Sequence, residues 1–90
     1  MGENKKCILI TEDELVVQQS LVETPTKSGF DALAYDTAEQ VLNSDIINCA
    51  DGIITDIGLP GINGWEATSL IKKRYSLMSV IMLIRWGQFN

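Results

Sequence analysis

Two places in the chain set carboxylates at the end of an apolar run. KCILIT (6–11) runs into Glu12, Asp13 and Glu14, and DGIITD (51–56) ends on Asp56. The stretch ITDIGLPGING (54–64) then brings Gly58, Pro60, Gly61 and Gly64 in quick succession. Taken singly, such acids are often just solvated, and Glu12–Glu14 would also suit the start of a helix, where negative charge is favoured. Taken together they fall at matching ends of the first and third apolar runs. Were those runs neighbouring strands, Glu12, Asp13 and Asp56 would converge. Carboxylates that close repel one another unless a cation sits among them. Hard oxygen ligands with room for water suit Mg²⁺, which takes one or two protein carboxylates plus a phosphate. A carboxylate held there can attack phosphorus to give an aspartyl phosphate, with the metal offsetting the charge of both groups. Gly58 would let the backbone approach the ion and offer its carbonyl as a ligand. Pro60, Gly61 and Gly64 would shape a tight loop.

The elements that must position these residues alternate along the chain. KCILIT is a continuous apolar run, as expected of a strand buried on both faces. ELVVQQSLVE (14–23) has helical character, with Val17 and Leu21 on one face, and Gly29 fits a C-terminal cap. Pro25 removes a donor and clashes with the carbonyl of Leu21, so the helix is expected to end or kink before it. FDALAY (30–35) alternates as a strand. DTAEQVLNSD (36–45) reads as a helix with Asp36 and Glu39 at capping-box spacing. DGIITD is a third strand. NGWEATSLIKKRY (63–75) is a helix capped by Asn63, with Ala67, Leu70 and Ile71 as its apolar face and Lys72, Lys73 and Arg74 in its last turn. SVIMLI (79–84) is a fourth strand. The βαβαβαβ order implies an α/β fold with a parallel sheet covered on both faces. Sites in such sheets form outside the carboxyl ends of the strands, where both acidic features lie.

Composition narrows the chemistry. Ninety residues make one domain, and 46% apolar with 21% charged residues is an ordinary globular balance. The net charge of -5 argues against nucleic acid and against an anionic membrane surface. No apolar run approaches a membrane span, and MGENKKC carries no cleavage site, so a cytoplasmic location is expected. With no histidine, Ser-His-Asp and Cys-His catalysis are excluded. Cys7 and Cys49 are read as small buried thiols rather than a disulfide or a zinc site.

The chain resembles the receiver domain of bacterial two-component response regulators. The resemblance rests on ILITEDE in the first strand, GFDALAYDTAEQVL across strand 2 and helix 2, DGIITDIGLPGINGWE around Asp56, and SVIML in strand 4. It runs from about Lys6 to Leu83. It implies a flavodoxin-like, doubly wound parallel sheet with strand order 2-1-3-4 over this chain. It implies that Asp56 is the phosphoacceptor, taking a phosphoryl group from a sensor histidine kinase or phosphotransfer protein. Mg²⁺ would be held by Asp13, Asp56 and the Gly58 carbonyl, with Glu12 acting through water. The contact surface would be helix 1 and the loop before it. Such a domain is not an enzyme in the usual sense, although it assists its own phosphorylation.

The sequence also departs from that family. Receivers place Thr or Ser at the end of strand 4, where this chain has Ile84, followed by RWGQFN (85–90) as an atypical tail. The family continues with a further helix, strand 5 with its phosphoryl-pairing lysine, and a last helix. On this reading the chain is a single truncated receiver, phosphoryl transfer is impaired and the switch is lost. Strand 4 becomes an apolar edge through which copies of the chain would self-associate. The alternative is a non-phosphorylated pseudo-receiver that binds a kinase or another receiver. A phosphatase of the haloacid-dehalogenase type would need a second acid two residues after the nucleophile, where Gly58 stands.

Overall fold

The computed structural model describes residues 5–56, 64–76 and 78–83. Its elements are β1 (Cys7–Thr11), α1 (Leu15–Lys27), β2 (Asp31–Tyr35), α2 (Ala38–Leu42), a 3-10 helix (Asp45–Cys49), β3 (Gly52–Asp56), α3 (Gly64–Arg74) and β4 (Ser79–Leu83). The four strands form one parallel sheet in the order β2-β1-β3-β4. The chain steps from β1 to β2 on one side, then back across β1 to β3 and β4. Right-handed crossovers in opposite directions place α1 on one face and α2 and α3 on the other. The expected doubly wound topology is therefore present.

The two faces are not equally covered. On the α2–α3 face, Cys7, Leu9 and Ile53 from the sheet pack with Val41, Ile47, Ala67 and Ile71 in one buried cluster. Leu70 departs from the expected apolar face and is 37% exposed. It sits at the edge of the stripe that Ala67 and Ile71 define. On the other face α1 buries none of its residues fully. Ile8 and Ile54 are half-buried and Ile81 is exposed. A groove of about 520 Å³ runs between α1 and β4, lined by Ile8, Pro25, Phe30, Ile54 and Ile81. Ile10, on this same face, is fully buried, so among the described residues the second face is covered in part and open toward β4.

Helix 1 corrects a second expectation. It continues through Pro25 to Lys27. Pro25 lies in the final turn, so the missing donor costs one bond, to the Leu21 carbonyl. The Thr26 hydroxyl donates to the neighbouring Val22 carbonyl at 2.7 Å. Pro25 itself supplies the acceptor that ends the helix. Phe30 N–H donates to the Pro25 carbonyl and Gly29 N–H to the Thr26 carbonyl, the paired bonds of a Schellman cap. Gly29 takes the left-handed φ of +92° that this cap requires.

Helix 2 is shorter than expected and starts one residue later. Thr37, not Asp36, is the N-cap: its hydroxyl accepts from Gln40 N–H, and the Gln40 side chain accepts from Thr37 N–H. Asn43 ends α2, and Ser44 caps the 3-10 helix by accepting from Ile46 N–H. The expected cap of α3 at Asn63 lies outside the described residues. Lys72 does more than sit in a solvated helix end. Its ammonium donates to the carbonyls of Ser76 and Met78 at 3.2 and 2.7 Å, fastening the turn into β4. Both cysteines are free, with Cys7 buried and Cys49 exposed, so the expectation of two buried thiols fails for Cys49.

Candidate functional site at the carboxyl edge of the sheet

The strand order reverses between β1 and β3, and in open α/β sheets the crevice at such a switch point is where ligands bind. Here the two acidic segments meet. Thr11 pairs in register with Thr55, so the next residues, Glu12 and Asp56, stand at the same level of this edge. Neighbouring strands lie about 4.8 Å apart. The Thr11 hydroxyl donates to the Thr55 hydroxyl at 2.6 Å, both side chains being buried. That bond clamps β1 to β3 one residue below the acids. The acids stand at the edge where their sequence positions predict them. The threonines are not evident from sequence, their only signal being a hydroxyl at the same position of two neighbouring apolar strands.

Glu12 is completely buried, although it is ionisable. Its N–H extends the ladder by donating to the Tyr35 carbonyl at 3.0 Å. Asp13, one residue on, is exposed. Both precede α1, whose first turn holds no acid. Glu12 and Asp13 therefore do not serve as the acidic first turn of a helix, the bland role open to them in the sequence. Asp56 is the last residue of β3, and its backbone pairs with Leu83 of β4. Gly58, Ile84 and the tail 85–90 lie outside the described residues, as does the side chain of Asp56. Among the described residues no three acidic or thiol side chains gather closely enough to hold a metal. Glu12 and Asp13 fit a hard divalent cation. Their side-chain donors are all oxygen, the kind such an ion takes, and Glu12 Oε2 accepts from Glu14 N–H at 3.5 Å.

The acidity of Cys7 is shifted. Burial, with the nearby charges of Asp31 and Asp51, holds its thiol above the ordinary 9.0. It lies at the opposite end of β1 from the acids and takes no part in their chemistry. Among the described residues no helix is long and apolar enough to cross a membrane.

A doubly wound parallel sheet with acids at its β1/β3 switch point defines a class of phosphoryl- and nucleotide-handling α/β domains. Within that class the chain belongs to the response regulator receiver domain family, whose pattern it matches over residues 8–89. It is 28% identical over 80 residues to the response regulator protein FleR of Pseudomonas aeruginosa, a match that spans 89% of this chain but 17% of FleR. Among solved structures it resembles the response regulator TrrA of Thermotoga maritima in complex with Mg²⁺-BeF. The TM-score is 0.84 at 27% identity, over 94% of this chain and 74% of that one. TrrA has also been solved in complex with the histidine kinase ThkA, with a TM-score of 0.81 at 27% identity, over 94% of this chain and 73% of that one. A receiver domain from Clostridium thermocellum gives a TM-score of 0.82 at 26% identity, over 93% of this chain and 68% of that one.

Proposed function

We propose that the chain acts in a cytoplasmic phosphorelay by accepting a phosphoryl group on Asp56 from a sensor histidine kinase. The observation that carries this reading is the in-register pairing of Thr11 with Thr55, which delivers Glu12 and Asp56 to one edge. In the step itself a carboxylate oxygen of Asp56 attacks phosphorus. The P–N bond of the donor phosphohistidine breaks as the P–O bond of the aspartyl phosphate forms. Asp13, Asp56 and the Gly58 carbonyl would hold Mg²⁺, and Glu12 would bind it through water. Bound there, the ion supplies neutralising charge to the nucleophile and the transferring group. The complex of TrrA with Mg²⁺-BeF supports this reading. In this role the chain is the kinase's substrate rather than an enzyme in its own right.

The partner surface is the start of α1. Leu15 and Val16 are 65% and 76% exposed immediately after the acidic loop. Apolar side chains standing out beside a site are the natural anchors for a docking partner, and the complex of TrrA with ThkA supports a histidine kinase as that partner. Among the described residues β4 pairs only with β3, and Ile81 on it is exposed. We propose that copies of the chain associate through this edge. A concentration-independent monomer in sedimentation would end that part of the reading.

The test of function is acetyl phosphate with Mg²⁺, read by intact mass. One added phosphoryl group on the wild type and none on Asp56→Asn is the expected result. An unlabelled wild type that still binds a histidine kinase would replace the proposal with the pseudo-receiver reading.

A further inference from the structure

A closed ring of hydrogen bonds surrounds the point where β1 releases its acidic loop. Glu12 N–H donates to the Tyr35 carbonyl at 3.0 Å. The Glu12 carbonyl accepts from Gln18 Nε2 at 2.9 Å. The same nitrogen donates to Asp36 Oδ1 at 3.2 Å, and Asp36 follows Tyr35 in the chain. The ring is braced from both sides. Asp36 N–H donates at 2.8 Å to Gln40 Oε1, the acceptor of the α2 capping box. Gln18 N–H donates at 2.8 Å to the Glu14 carbonyl in the first turn of α1.

A primary amide suits this place because its nitrogen carries two N–H donors, one for each acceptor. Both backbone polar groups of Glu12 are thereby engaged, one by β2 and one by α1. With both held, the direction in which Asp13 leaves the sheet is set by Gln18 as much as by β1. Gln18 itself is half-buried on α1, and neither its packing nor helix propensity demands an amide there.

We propose that Gln18 is a positioning residue for the cation site: its side-chain amide fixes the Glu12 carbonyl, and through it the placement of Glu12 and Asp13. The proposal rests on the reading that Mg²⁺ binds at this edge. It predicts that cation affinity depends on a residue that is not itself a ligand.

Two variants test it, each near in length to glutamine and lacking the donor. Gln18→Met is expected to weaken Mg²⁺ binding about three- to tenfold, the worth of one ordinary hydrogen bond. Binding is followed by amide shifts and tryptophan fluorescence. Gln18→Glu is the sharper case. Added negative charge near a cation site should tighten binding if only Coulomb attraction matters. Here it sets a carboxylate against the Glu12 carbonyl and the Asp36 carboxylate, so binding is expected to weaken at least as much as in Gln18→Met. In the metal-free protein, the amide signals of Glu12, Asp13 and Asp36 should move in both variants, and the melting temperature should fall by a few degrees, as the loss of these hydrogen bonds requires. A wild type that responds to Mg²⁺ with both variants equal to it, or tighter, overturns the positioning role alone. A wild type that does not respond to Mg²⁺ overturns the cation reading, and this proposal with it.

Discussion

Thr11 and Thr55, 44 residues apart in sequence, share a buried hydroxyl–hydroxyl hydrogen bond of 2.6 Å between adjacent parallel strands. The two residues after them are Glu12 and Asp56. The bond therefore pins the strands at the level where the acidic edge begins, and a one-residue slip would separate the acids. Replacing either threonine by valine keeps the shape and removes a hydroxyl from a dry site. Each single change is expected to cost about 1–2 kcal/mol. The double variant should cost less than the sum, because each single change already breaks the bond the two share. Denaturant unfolding of the four proteins of the cycle measures this coupling.

Gly29 offers a clean test of backbone conformation. Its φ is +92° and a Cβ built there meets nothing within 4 Å. Any penalty for Gly29→Ala is thus conformational rather than steric crowding by neighbours. About 1–2 kcal/mol is expected, seen as a lower midpoint in urea with an unchanged slope.

Cys7 makes stability depend on alkaline pH. Burial first, then the charges of Asp31 and Asp51, raise the folded thiol above its ordinary 9.0. Below that pH both folded and unfolded chains keep the proton, and the contribution is full. As pH rises past it, the unfolded chain releases the proton while the folded chain does not. Stability therefore falls until the raised folded value is passed. Melting curves between neutral pH and about pH 10 should show a steeper alkaline loss in the wild type than in Cys7→Ala. Equal slopes would assign the loss to other groups.

Leu15 and Val16 expose apolar surface that the fold does not need. Leu15→Asp and Val16→Asp should each weaken binding to a cognate histidine kinase about tenfold. Circular dichroism and melting should be nearly unchanged, since neither side chain is buried. Phosphorylation by acetyl phosphate, which needs no docking surface, should survive in both variants.

Much of this arrangement was legible along the chain. The four strands announce themselves as apolar runs because a parallel sheet buries both faces of its central strands. The acids at the ends of β1 and β3 could be assigned to one edge because parallel strands all point the same way. Local punctuation was harder. Asp36–Glu39 and Thr37–Gln40 obey the same capping pattern, and sequence reading favoured the first. The structure uses the second because the Asp36 carboxylate is engaged by Gln18 from another helix. Pro25 looked like a helix end, but its place in the last turn, with the Gly29 cap beyond it, let the helix run on.

The sequence by itself determined the element order, the parallel sheet and the acids at its carboxyl edge, since each depends on residue type and local period. The tertiary structure alone decided which threonine faces which, which residue caps α2, and how Gln18 closes the ring at Glu12. These are pairings between side chains far apart in sequence, and they exist only once the strands have taken their register.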